Sequence, residues 1–288
     1  MNVANDLKLF GIIGHPIGQS LSPLMHNTAF EDLGMKASMS AFDIAPESLK
    51  EALQGFATLE FGGINVTIPH KETIMQYLDT IDEEASTIGA VNTVRYLDGR
   101  TSGFNTDAYG FLKTLEPFRS SVEGGKFVVL GAGGAARAVV YVLLKFFRTS
   151  QIVIASRSTS RTTELVEHFK GSGQLALTPF DLNDSQFGRI FQVADVVVNA
   201  TPAGMFPSPK QLPFPNPSFQ AGQTVVDLIY RPMNTLFLQL ASQAGARIIS
   251  GLEMFIHQGA RAFQIWTGQS MNTELVRRIL TRKLEQEV

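Results

Sequence analysis

The chain has 288 residues, 24 basic against 26 acidic side chains and no cysteine, which excludes a disulfide framework and thiolate metal sites. A net charge of −2 argues against a nucleic-acid partner, and 44% hydrophobic with 17% charged residues describes an ordinary globular chain of about two domains, at roughly 150 residues each. The longest glycine-free apolar run, Ala138 to Leu144, falls far short of the roughly 20 residues that a bilayer requires, and Asp6 precedes the short Phe10 to Ile13 run. A cytoplasmic, uncleaved protein with no membrane partner is expected. The sequence is compatible with a homodimer without fixing the oligomeric state.

The first third alternates between two periodicities. Lys8 to Ile13 is a short apolar run, Pro23 to Leu33 has helical spacing, Ser38 to Ile44 alternates, Pro46 to Phe56 is helical and Gly63 to Ile68 is strand-like. That is a βαβαβ pattern. Pro69 stands where proline suits a helix first turn, so a helix is expected over His70 to Leu78. A second helical stretch follows near Asp82 to Ile88, and Ala90 to Thr106 reads as two antiparallel strands split by Asp98-Gly99, a dipeptide that favours a tight hairpin.

A second α/β series starts at Lys126. Phe127 to Leu130, Gln151 to Ala155, Asp195 to Ala200, Thr224 to Ile229 and Arg247 to Ser250 are β-branched, near-continuous apolar runs, the mark of a parallel sheet covered on both faces. Pro202 to Pro217 reads as a long loop, and two helices follow, from about Met254 to Thr267 and from Asn272 to Glu287.

Gly131-Ala132-Gly133-Gly134-Ala135-Ala136 follows one of these strands and opens a helical segment, which fits the G-x-G-x-x-G/A dinucleotide pattern in the context it requires. A glycine turn that merely joins strand to helix is the plainer reading. At the end of the next strand, where NAD sites place Asp or Glu, stand Ser156-Arg157-Ser158 and then Arg161. Two guanidiniums and two hydroxyls suit a 2′-phosphate, so NADP is favoured over NAD.

Lys71 would lie in the first turn after Pro69, where a helix dipole disfavours a cation, and such a lysine suits proton transfer. From this feature alone, an exposed lysine is the first reading. Asp107, after Phe104-Asn105-Thr106, is as well explained as a helix cap. Ser22 immediately precedes Pro23 and should cap that helix, giving Ser20 and Ser22 a place at a carboxylate-binding N-terminus. Asn65, Thr67, Asn92 and Thr93 are neutral polar residues inside apolar segments; they bond either to backbone or to a polyhydroxylated ligand. The five histidines show no ligand spacing, and no metal is expected.

Ser20-Leu21-Ser22-Pro23, Gly63 to Glu72, Gly89 to Thr93, Gly103 to Asp107, the glycine loop with Arg137, Asn199 to Pro202, Asp227 to Tyr230, Gly251 to Met254 and Gln258 to Ala260 together resemble the shikimate dehydrogenase family over the whole chain. The resemblance implies reversible reduction of 3-dehydroshikimate to shikimate with NADPH, on the route to chorismate and the aromatic amino acids. Lys71 would be the acid/base, paired with Asp107, while Ser20, Ser22, Asn65, Thr67, Asn92, Tyr230 and Gln258 would complete the substrate pocket. Gly131, Ala132, Gly133, Gly134 and Ala135, the segment Ser156, Arg157, Ser158, Thr159, Ser160 and Arg161, then Leu228, Gly251 and Glu83 would serve the cofactor. Ser156 departs from the asparagine common in the family.

The implied fold is two-domain α/β: a discontinuous substrate-binding domain, 1–106 with 252–288, and a Rossmann-type doubly wound NADP-binding domain, 107–251. Two alternatives remain open from the residues: an NAD-linked quinate/shikimate dehydrogenase, and a non-catalytic NADP-binding sensor.

Overall fold

A computed structural model describes residues 7–171 and 177–287. The chain forms two compact units, residues 7–109 with Ile256–Glu287, and Gly110–Phe255.

In the first unit the chain runs β1 (Lys8–Gly14), α1 (Ser22–Asp32), β2 (Ala37–Asp43), α2 (Leu49–Thr58) and β3 (Gly63–Val66), the expected βαβαβ series. β1 pairs in parallel with both β2 and β3. The sheet continues through β4 (Thr80–Ile81), α3 (Glu83–Ile88), β5 (Thr93–Leu97) and β6 (Arg100–Phe104), in the order β2-β1-β3-β5-β6-β4. β5 and β6 form the expected antiparallel hairpin, with Asp98 and Gly99 both at positive φ in its turn. One face of the sheet buries Ile13, Ile64, Val66 and Val94 against Leu49, Leu53 and Phe56 of α2. Burying such side chains stabilises by about 1.5–3 kcal/mol each.

The helix expected after Pro69 does not form. Residues 69–72 are turns, and only a 3-10 turn, Thr73–Tyr77, follows. The Lys71 carbonyl, which an α-helix would pair with an amide four residues on, accepts from the Val91 amide instead, while the His70 amide closes a turn on the Thr67 carbonyl and the buried His70 ring bonds the Ile44 carbonyl. With no α-helix over 70–78, no helix macrodipole acts on Lys71.

The chain then passes through α4 (Asp107–Leu115) and the short α5 (Arg119–Val122) into the second unit: β7 (Lys126–Leu130), α6 (Gly134–Phe146), β8 (Gln151–Ser156), α7 (Thr159–His168), β9 (Leu177–Asp181), α8 (Phe187–Gln192), β10 (Val196–Asn199), β11 (Thr224–Asp227), α9 (Leu236–Gln243) and β12 (Arg247–Ile249). All six strands are parallel, in the order β12-β11-β10-β7-β8-β9. β10 and β11 are buried along their whole length, as strands covered on both faces must be. β9, unread in the sequence, is an edge strand carrying Pro179, a residue that edge strands tolerate and that masks their pattern. The long Pro-rich loop stays ordered without helix or strand because Phe214 and Phe219 are buried among Phe187, Phe191 and Phe237.

Two helices end the described chain, α10 (Leu252–Thr267) and α11 (Thr273–Glu285), the latter capped by Asn272, whose Oδ1 accepts from the Leu275 amide at 3.2 Å. On α10, Phe263 and Trp266 enclose the fully buried His26 of α1. Burial lowers that imidazole to about 3, so it packs as a neutral ring.

Candidate active site

Four segments of the first unit converge on one hydrogen-bonded cluster. Lys71 Nζ donates to Asp107 Oδ2 at 2.6 Å, and the two side chains are only 14% and 7% exposed. Lys71 is therefore not a solvated lysine. Asp107 is the first residue of α4, but the capping acceptor there is Asn105 Oδ1, which takes the Ala108 amide at 3.2 Å, leaving the Asp107 carboxylate to face Lys71.

Asn92 is the centre of the cluster. Its Nδ2 lies 2.9 Å from Asp107 Oδ1, 3.0 Å from Thr106 Oγ1 and 3.3 Å from Gln258 Oε1. Its Oδ1 accepts from the Thr106 amide at 2.7 Å and from the Thr93 hydroxyl at 3.1 Å. A buried amide held on both ends cannot flip, so Asp107 Oδ1 always faces a donor. Asn65 gives Nδ2 to the Asn92 carbonyl and to Thr93 Oγ1, at 3.4 and 3.2 Å, and its Oδ1 is buried without a protein partner. Thr67 follows β3, half-buried. The buried polar residues thus bond mainly to one another, an arrangement neither sequence reading anticipated.

Ser22 does not cap α1. It is the first helical residue, Leu21 precedes it at the cap position, and the Ser22 amide donates to Ser20 Oγ at 3.2 Å. Pro23 has no amide hydrogen and the Ser22 amide is taken by Ser20, so the two hydroxyls, together with the Leu24 amide of the first turn, are what this turn offers a carboxylate.

In the second unit, Gly131 has φ 111° and its amide bonds the Ala155 carbonyl; a Cβ there would lie 3.0 Å from the Ala200 carbonyl oxygen. Only glycine suits that turn. A Cβ on Gly133 would meet nothing within 4 Å, and no described side chain caps α6, which Gly134 opens. Open space before uncapped amides, flanked by Ala132 and Ala135, fits a pyrophosphate. The sheet order reverses at β7, which places this turn at the switch point where doubly wound folds bind dinucleotides. Behind it, the buried Arg137 pairs with Glu164 at 3.1 Å.

The next turn differs from expectation in its hydroxyls. Ser156 Oγ donates to the Ser158 carbonyl at 2.9 Å and pairs with Thr162 Oγ1 at 2.7 Å, while Ser158 Oγ caps α7 and meets Ser160 Oγ at 3.0 Å. These serines shape the turn, and the exposed Arg157 and Arg161 are its charged groups. A carboxylate does stand nearby: Asp181 of β9 is in register with Ser156, and Thr159 Oγ1 lies 3.4 Å from its Oδ2. Its Oδ1 is occupied by the Asn183 amide and side chain. Reading β9 as a strand would have found it.

Gly251 packs so closely against Leu228 that a Cβ would overlap the Leu228 carbonyl oxygen. Tyr230 stacks on Phe255 at 4.0 Å. Glu83 opens α3 of the first unit, exposed. Among the described residues, no group of three or more His, Cys, Asp or Glu side chains could hold a metal ion, and no helix is long and apolar enough to cross a membrane.

Asp227, part of a motif in the sequence but given no role there, organises the Leu228–Tyr230 segment: it accepts from Asn199 Nδ2 at 3.0 Å, the Ile229 amide at 3.1 Å and Thr235 Oγ1 at 2.7 Å. Burial pushes its carboxyl up to about 7, against the lowering effect of those bonds. The folded value exceeds the unfolded one, so the native state binds the proton more tightly, and stability falls as pH rises from about 4 to about 7 and then levels. Asp227→Asn can accept from Asn199 and Ile229 and donate to Thr235. Urea midpoints across that range should lose a decline on the order of 4 kcal/mol. An unchanged slope in the variant would assign the decline to another group.

Three family models match the chain: a shikimate dehydrogenase substrate binding domain over residues 12–94, a shikimate 5'-dehydrogenase C-terminal domain over 251–281, and a saccharopine dehydrogenase NADP binding domain over 127–206. The shikimate dehydrogenase (NADP(+)) of Moorella thermoacetica is 44% identical over 97% of this chain and 95% of its own, and that of Methanopyrus kandleri is 42% identical over 99% and 98%. The crystal structure of shikimate 5-dehydrogenase from Thermus thermophilus in complex with NADP(H) and shikimate superposes with a TM-score of 0.82 at 37% identity, covering 96% of this chain and 99% of that one. With relatives this similar along nearly its full length, and with the fold and the Lys71–Asp107 pair in place, the chain belongs to the shikimate dehydrogenase family.

Proposed function

We propose that this chain catalyses the reversible, NADPH-dependent reduction of 3-dehydroshikimate to shikimate, in the cytoplasm, on the route to chorismate and the aromatic amino acids. The observation that carries this reading is the buried Lys71–Asp107 pair, held by Asn92 beside Gln258. Residues 1–106 with 252–288 form the substrate domain in this reading, and 107–251 the NADP domain.

The bound cofactor supplies the hydride. Lys71 Nζ gives a proton to the ketone oxygen as it gains charge, and takes it back from the hydroxyl in the reverse direction. Asp107 Oδ2 keeps the ammonium aimed, and Asn92 prevents the carboxylate from turning away. Ser20, Ser22, Asn65, Thr67 and Gln258 bind the substrate's carboxylate and hydroxyls. Gly131 to Ala135 take the pyrophosphate, and Arg157 with Arg161 the 2′-phosphate. The test is product identification: shikimate and NADP(+) should yield 3-dehydroshikimate and NADPH in equal amounts, and no shikimate-dependent NADPH would overturn the reading.

Ser20 and Ser22 make separable predictions. Ser20→Ala removes the acceptor of the Ser22 amide and should cost about 1 kcal/mol of stability, whereas Ser22→Ala should not. Both should raise KM for shikimate while affecting its carboxamide analogue far less. Melting temperatures and the two KM values decide it: variants with an unchanged KM ratio would remove the carboxylate role.

A further inference from the structure

At the amino end of β1 the first unit contains a cavity of about 360 Å³ whose described lining includes Lys8, Lys36 and Arg95 and no carboxylate side chain. That volume lies within the range of small-molecule sites. Its aromatic wall is Phe10 and Trp266, whose rings lie 5.2 Å apart, with the Trp266 indole N–H fixed to the Val94 carbonyl at 2.9 Å. Gly62 lets Phe10 and Lys8 pack directly on the backbone of this wall: a Cβ there would come within 2.6 Å of the Phe10 ring and 3.1 Å of Lys8 Cε.

Arg95 is the unexplained group. Its guanidinium lies over the Phe104 ring at 5.7 Å, and its Nε is buried with no hydrogen-bond partner. The buried Nε itself is out of a ligand's reach, but the Arg95 side chain as a whole is only partly buried, and a guanidinium is a fork made for planar oxyanions. Lys8 Nζ donates to the Glu60 carbonyl at 2.9 Å, a neutral partner that leaves its positive charge uncancelled.

We propose that this cavity is a second ligand site, separate from the reacting residues, which takes a small aromatic anion, with a carboxylate or phosphate on Arg95 and the ring against Phe10 and Trp266. Trp266 is the chain's single tryptophan, so its emission reports on this cavity. Benzoate, phenyl phosphate and, as the uncharged control, benzamide would be titrated into the full-length protein. At least one of the two anions should give a saturable change in emission that weakens with added salt and persists with saturating shikimate. Arg95→Gln should weaken that binding about tenfold or more, and Lys8→Gln by a smaller factor. If Arg95→Gln loses its native circular dichroism, Lys8→Gln carries the comparison. The proposal is overturned if neither anion saturates, if benzamide binds as tightly, if shikimate displaces the anion, or if binding is undiminished in the folded variants.

Discussion

Lys71→Ala should lower kcat for shikimate oxidation by about 10²- to 10⁴-fold, the usual contribution of a positioned acid/base, while KM changes much less. The ammonium is the donor paired with Asp107 Oδ2, and alanine leaves that nearly buried carboxylate with Asn92. Removing one partner of a buried pair also destabilises, by roughly 3–5 kcal/mol in a dry interior, so thermal unfolding must be followed in parallel. Asp107→Asn separates the two effects: it keeps the side chain's shape but removes the charge that aims Lys71, and it should lower kcat as well. Turnover of folded Lys71→Ala within about tenfold of wild type would remove Lys71 from proton transfer.

Arg157→Ala and Arg161→Ala should each weaken NADP binding by roughly one to two powers of ten and leave NAD binding nearly unchanged, because NAD lacks the 2′-phosphate. The geometry sharpens this test. Ser156 and Ser158 spend their hydroxyls on the turn itself, so the arginines carry nearly all the phosphate recognition this segment can supply. Ser156→Ala should instead lower stability and weaken both cofactors together. Equal weakening of NADP and NAD by an arginine variant would show that the arginine supports the fold, and binding titrations with both cofactors distinguish these results.

The parallel strands of the second unit were legible because burial on both faces demands continuous apolar runs: β7, β8, β10 and β11 are each written as Val- and Ile-rich segments ending in a polar or glycine turn. β9 was not legible, since an edge strand with Pro179 and half-buried side chains has no such run. The Asp98-Gly99 hairpin was legible from local turn chemistry alone. The segment after Pro69 was misread for the opposite reason: its local signal favours a helix, but His70 and Lys71 are held by partners distant in the chain, Ile44 and Val91. At the site, residue types marked Lys71, Asp107 and Asn92 as polar groups needing explanation. Which atoms pair is a property of the assembled sheet, as is the role of Asp227, whose partners Asn199 and Thr235 come from two other segments.

The central claim, that this chain interconverts shikimate and 3-dehydroshikimate with NADP, is tested most directly by initial rates for four pairs: shikimate or quinate with NADP or NAD. The arginine turn and the family's own members place shikimate with NADP first, with kcat/KM about tenfold or more above each other pair. A higher kcat/KM for quinate with NAD, or no rate with any pair from correctly folded protein, would contradict the account.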